Sequence, residues 1–126
     1  MIRSERARAL NAVKAGDVIY GIASGRQQKI LFVYRADQDY IFARHITSQT
    51  KVKFRRDGTS EKTWDGGSCT IVSTAALPAK DHQVAVDLDR KMRTARELSD
   101  LRLSEAEIHL LVNVHEYFNG HLLPEE

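Results

Sequence analysis

Asp39-Tyr40-Ile41-Phe42-Ala43-Arg44-His45-Ile46-Thr47-Ser48-Gln49 decides the reading of this chain: a strand-like run, rich in β-branched and aromatic residues, that stops abruptly at two hydroxyls. It predicts a strand over Tyr40 to Thr47. Working outward, Val18 to Ala23, Lys29 to Ala36, Lys51 to Arg56 and Cys69 to Thr74 read the same way. Turn signals separate them at Ser24-Gly25, Ala36-Asp37-Gln38-Asp39, Asp57-Gly58 and Asp65-Gly66-Gly67-Ser68. Five short strands joined by tight turns imply antiparallel neighbours and a small β-barrel.

Helical segments flank these strands. Ser4 to Val13 holds good helix formers, with Ser4 as N-cap. After Pro78, Val84, Leu88, Met92, Ala95 and Leu98 form one apolar stripe, while Arg90, Lys91, Arg93 and Arg96 project elsewhere. Ser104-Glu105-Ala106-Glu107 matches a capping box and Asn119-Gly120 supplies a stop, so the last helix is predicted over Glu105 to Phe118. Ile108, Leu111, Val112 and His115 share one of its faces, widened by Leu110, Val114, Tyr117 and Phe118, which suggests packing on the barrel or on a second subunit. At 126 residues the chain is expected to be one α+β domain, with the barrel over 16–77 and a helical extension over 80–120. Trp64, just before the glycine pair, is expected to pack in the core.

Composition excludes several classes. Hydrophobic residues at 42% and charged residues at 29% describe a globular chain, not a disordered one. Cys69 is the sole cysteine, so no intrachain disulfide forms, and a reducing, cytoplasmic setting is expected. The longest apolar run, Ile108 to Val114, is too short to span a bilayer, and no membrane partner is predicted. The formal net charge is only +2, yet Arg26 to Lys62 holds nine basic and four acidic residues. That local excess suits phosphate contact, and Lys29, Arg44, Lys51, Lys53, Arg55 and Arg56 are the candidate RNA-binding cations. A solvated strand face balanced by nearby acids is the plainer alternative.

No nucleophile elbow, phosphate-cradling glycine loop or His-Glu-x-x-His pattern is present. His109, His115 and His121 lie six apart, which is not the helical i, i+4 pairing of metal sites, so neither a metal nor another cofactor is predicted. Arg26 in a basic loop and Arg44, His45, Thr47, Ser48 and Gln49 at a strand exit remain. Alternation puts His45 and Thr47 on one face, bringing a titratable ring near the hydroxyls. The same hydroxyl pair also suits the capping of a turn.

Gly16-Asp17-Val18-Ile19-Tyr20, then Arg26 in the next loop, then Ile46-Thr47-Ser48-Gln49 resemble, in order, the opening strand, catalytic Arg and Ile-Thr-Ser motif of the MazF/PemK-type toxin superfamily. The resemblance covers roughly residues 16 to 77. It implies an SH3-like barrel, a homodimer, an antitoxin protein as partner, and metal-independent endoribonuclease action on single-stranded RNA. Arg26 would then stabilise charge on the scissile phosphate, and Thr47 or Ser48 would position it, with His45 beside them. The chemistry is consistent with that set: attack by the RNA's own 2′-hydroxyl needs alignment, a cation and proton-transfer help, not a protein nucleophile. Tyr20, Tyr34 and Phe54 are candidates to stack unpaired bases. The alternative is a non-catalytic SH3-like module that binds a protein or nucleic acid.

Overall fold

A computed structural model describes residues 5–23, 27–61, 68–95 and 102–124. In chain order it contains α1 (Glu5–Asn11), β1 (Val18–Ala23), β2 (Gln27–Ala36), β3 (Tyr40–His45), β4 (Lys51–Arg55), β5 (Cys69–Ser73), α2 (Ala79–Thr94) and α3 (Glu105–Asn119). The strands form one antiparallel sheet in the order β4-β3-β2-β1-β5, curled into a half-barrel. Residues 58–60 link its two outer strands through bridges from Phe54 to Ser60 and from Thr59 to Thr70. The Ile71 N–H donates to the Gly58 carbonyl at 2.8 Å and the Ser60 N–H to the Cys69 carbonyl at 2.9 Å. On the β4 side the Arg55 N–H donates to the Thr59 carbonyl at 2.8 Å and the Glu61 N–H to the Lys53 carbonyl at 2.9 Å, so groups on both outer strands find partners in this segment. Gly58 makes this crossing possible, since its φ of +91° is a conformation that side chains with a Cβ rarely adopt.

Two apolar clusters lie on opposite faces of the sheet. The inner one gathers Ile19, Leu31, Val33, Ile41, Ala43, Val52, Phe54, Cys69 and Ile71, closed by Leu10 and Val13 from the α1 side. The outer one gathers Val18, Tyr20, Ile30 and Ile46 against Leu77, Ala85, Leu88, Leu110, Val114 and Phe118. Because β1 alternates between them, Val18, Ile19 and Tyr20 are all buried. Gly21 follows, and a Cβ there would come within 2.9 Å of the Cys69 sulfur, so close packing of β1 on β5 excludes a side chain.

Several expected boundaries move. β2 starts at Gln27, two residues before the strand expected from Lys29. β3 ends at His45, and Ile46, Thr47 and Ser48 form a turn, with Gln49 at φ +61° closing it. The α3 capping box is present, but the buried face of that helix is Glu107, Leu110, Val114 and Phe118. Ile108 and Val112, expected on the packed stripe, are 49% and 70% exposed. Phe118 selects the rotation by stacking on Tyr20, at a centroid distance of 4.9 Å. Trp64 and Leu98 lie outside the described residues. No helix among the described residues is long and apolar enough to cross a membrane.

Candidate functional site

The outer face of the sheet divides in two. Over β1 it is covered by α2 and α3. That cover extends to Ile30 and Phe32 of β2 and to Arg44 of β3, while among the described residues the rest of the face over β2, β3 and β4 stays open, and the register dictates what it displays. Phe42 pairs with Lys53, Tyr40 with Arg55 and Arg44 with Lys51, while Ile41 and Ala43 pair inward with Phe54 and Val52. Every outward side chain of β3 and β4 is therefore aromatic or basic: Tyr40, Phe42 and Arg44 on one strand, Lys51, Lys53 and Arg55 on the other. A register shift between Val33 and Arg35 adds Tyr34 and Arg35 from β2.

These side chains interleave. The Lys53 ammonium lies 3.9 Å from the Tyr40 ring centroid and 5.8 Å from that of Phe42. The Arg35 guanidinium sits 4.9 Å from the Phe42 centroid, and the Lys51 ammonium 5.7 Å from that of Tyr34. Tyr34, Tyr40 and Phe42 are each half-buried. Lys51 and Arg55 are exposed and have no carboxylate partner among the described residues, with one Arg55 N–H group donating to the Ser60 carbonyl at 3.1 Å, whereas Lys53 faces Glu61 at 3.7 Å and Arg35 faces Asp37 at 3.8 Å. Asp37 accepts the backbone N–H groups of Tyr40 and Asp39, which hold its carboxyl below the usual carboxylate range and fix the β2–β3 turn.

Arg44 ends this ladder and ties it to α2. Its Nε donates to Oδ1 of Asp89 at 2.9 Å and its Nη2 to Oδ2 at 2.7 Å, with both side chains buried. Gln49 adds a hydrogen bond to Asp89 Oδ1 at 3.1 Å and another to the Ile46 carbonyl at 2.8 Å. Burial pushes the Asp89 carboxyl up, but the Arg44 and Gln49 hydrogen bonds outweigh it and hold the group below its ordinary value. The guanidinium also lies 5.0 Å from the Phe32 centroid and 5.3 Å from that of Tyr34, so it packs the ladder as well as anchoring the helix.

The expected RNA-binding cations thus separate. Lys51, Lys53 and Arg55 point outward. Arg44 is buried in its ion pair, and Arg56 donates to the backbone carbonyls of Asp37, Leu10 and Val13, tying α1 to the β2–β3 turn. Lys29 shares the inner parity of β2 with Leu31 and Val33, away from the ladder. Two expected stacking residues are also placed otherwise, since Tyr20 and Phe54 are fully buried. Tyr40 and Phe42 stand half-buried on the outer face instead. The signal was in the sequence: Tyr40-x-Phe42-x-Arg44 and Lys51-x-Lys53-x-Arg55 are period-two patterns.

Of the residues expected to catalyse, Arg26 lies outside the described residues. Thr47 and Ser48 are exposed on the turn after β3, where the Ser48 hydroxyl donates to Thr50 Oγ1 at 3.1 Å. His45 is buried, so ring and hydroxyls do not share one solvent face as alternation through Thr47 predicted. Among the described residues its Nε2 has no hydrogen-bond partner. Burial first, then the Lys29 charge, push the His45 pKa below its ordinary value and keep the ring neutral. Burial likewise pushes the Cys69 thiol up to about 11, leaving it protonated. Among the described residues no three His, Cys, Asp or Glu side chains are grouped as a metal site. Comparison with protein-family models, with curated proteins and with solved structures finds no match for the chain.

Proposed function

We propose that this chain is an SH3-like barrel module that binds single-stranded RNA on the open face of β2, β3 and β4. The strand order β4-β3-β2-β1-β5, with residues 58–60 bridging the outer strands, supports the SH3-like reading. One observation carries the binding reading: all outward side chains of β3 and β4 are aromatic or basic. Half-exposed rings offer π-faces to unpaired bases, and each such stack is worth about 1–3 kcal/mol. Lysines and an arginine set between them contact the phosphates that connect those bases. A duplex keeps its bases stacked on each other, so the ladder favours single strands.

Binding is preferred to toxin-like cleavage because stacking and phosphate contact need no proton-transfer group. The described part of the catalytic set supplies exposed hydroxyls at Thr47 and Ser48 but no titratable group beside them. The test is fluorescence anisotropy with a labelled short single-stranded RNA, against its duplex and with excess unlabelled competitor. Saturable binding to the single strand, with Lys51→Gln and Lys53→Gln each lowering the logarithmic salt slope by about 0.7, is the expected result. No binding above that of a charge-matched control overturns the proposal. Metal-free cutting that leaves 2′,3′-cyclic phosphate ends would replace it with the toxin-like endoribonuclease.

A further inference from the structure

Away from the ladder, α1, the β1–β5 pair and the segment after α3 border an open cleft of about 720 Å³. Its walls are aliphatic, with Leu10, Ile22, Val72, Leu122 and Leu123 prominent and no aromatic ring among the lining residues. The last wall is held by backbone: the Leu123 N–H donates to the Val72 carbonyl at 2.8 Å, and the Ser73 hydroxyl donates to the His121 carbonyl at 2.8 Å. Leu122 is 53% exposed beside this space.

Three charged groups line the cleft, and two are already satisfied. Arg56 gives its N–H groups to the carbonyls of Asp37, Leu10 and Val13. Asp57 accepts the N–H and O–H of Thr59, and with Arg55 and Arg6 nearby its carboxyl stays below the ordinary range. Arg6 differs. Its Nη2 makes one long bond, 3.3 Å to the Ile71 carbonyl, and no carboxylate among the described residues lies within ion-pair distance. Thr70 and Asn119 add a hydroxyl and an amide to the lining.

We infer that this cleft binds a medium-chain aliphatic carboxylate, with the alkyl chain on Ile22, Val72, Leu122 and Leu123 and the carboxylate on Arg6. The volume falls within the range of small-molecule sites, which are mostly apolar with a few polar groups that fix orientation. An aliphatic chain matches walls without rings, and it removes Leu122 from water. The anionic head takes the donors Arg6 leaves over, as planar guanidinium suits planar carboxylate. This site is independent of the RNA face.

The test is a methyl NMR titration of the full chain at neutral pH with decanoate and, separately, decanol. Decanoate is expected to shift the methyl signals of Ile22, Val72, Leu122 and Leu123 saturably. Arg6→Gln should weaken decanoate about tenfold, the worth of one charge-assisted hydrogen bond, and leave decanol unchanged. Asn119→Trp, an exposed position at the end of α3, should block both ligands while the remaining spectrum is preserved. Should Arg6→Gln fail to fold, a wild-type preference for decanoate over decanol that is retained in Arg6→Lys gives the same support. Absence of saturable shifts overturns the site, and equal binding of decanoate and decanol to wild type overturns the anionic ligand.

Discussion

Tyr20 and Tyr40 are the same residue type on the same face of one sheet, yet their surroundings make them different instruments. Tyr20 sits under α3, fully buried, stacked on Phe118 and hydrogen-bonded through its hydroxyl to Nδ1 of His115. Burial pushes its pKa up to about 12, so the hydroxyl stays protonated at any ordinary pH. Tyr40 lies two strands away where none of the described helices covers the sheet, half-buried, with an ammonium 3.9 Å from its ring centroid. The arginines repeat the contrast: Arg44 is locked to Asp89 and Arg55 stands outward. Aromatic and basic residues hold the molecule together where helices cover the face and are displayed where they do not. The boundary runs through the Arg44–Asp89 pair.

Breaking that boundary should produce the largest effect. Asp89→Ala leaves the Arg44 charge buried without its partner, and a loss of about 3–5 kcal/mol in urea-unfolding stability is expected. Replacing both partners by apolar residues, as Arg44→Met with Asp89→Leu, should recover most of it. A single Asp89→Ala variant as stable as wild type would mean that the pair does not fasten α2.

On the open side, Phe42→Ala should weaken single-stranded RNA binding by about 1–3 kcal/mol, roughly tenfold, when the folded fraction is matched by circular dichroism. Unchanged affinity would remove the ladder from the proposed interface. The two tyrosines then sharpen the contrast directly. Tyr20→Phe should cost about 1 kcal/mol by stranding its half-buried histidine partner, while Tyr40→Phe should stay within about 0.5 kcal/mol. Equal costs would show that the faces are not distinct.

The smallest effect concerns pH. His45 carries a pKa below its ordinary 6.5, so above 6.5 both folded and unfolded chains hold it neutral and its full contribution to stability is present. As pH falls through that value the unfolded chain binds the proton first, and stability is lost until the folded pKa is passed. His45→Leu should flatten that part of a denaturation profile measured against pH. A variant retaining the wild-type slope would assign the titration to another histidine.

Strand positions were legible because period two, β-branched residues and Gly or Asp turns are local signals. They located Val18–Ala23 to the residue and misjudged the other strands by one or two positions at an end. The exit of β3 failed because the Gln49 N–H donates to the His45 carbonyl at 2.7 Å and Gln49 adopts a φ of +61°, closing a turn two residues before the expected end of the strand. The open ladder was half read: Lys51, Lys53, Arg55 and Tyr34 were named from the chain, while the period-two pattern that also carries Tyr40 and Phe42 gained its meaning from the register. Arg44 and Arg56 read as free cations because charge alone does not reveal a partner 45 residues away or a carbonyl to be capped.

By itself, then, the sequence determined an α+β chain of five antiparallel strands and flanking helices, because hydrogen-bonded periodicity and turn chemistry act between near neighbours. Tertiary structure alone decided which aromatic and basic residues are spent inside and which are offered outside. That choice depends on which half of the sheet α2 and α3 cover, and their placement comes from long-range contacts, Arg44 with Asp89 and Tyr20 with Phe118, that no local pattern encodes.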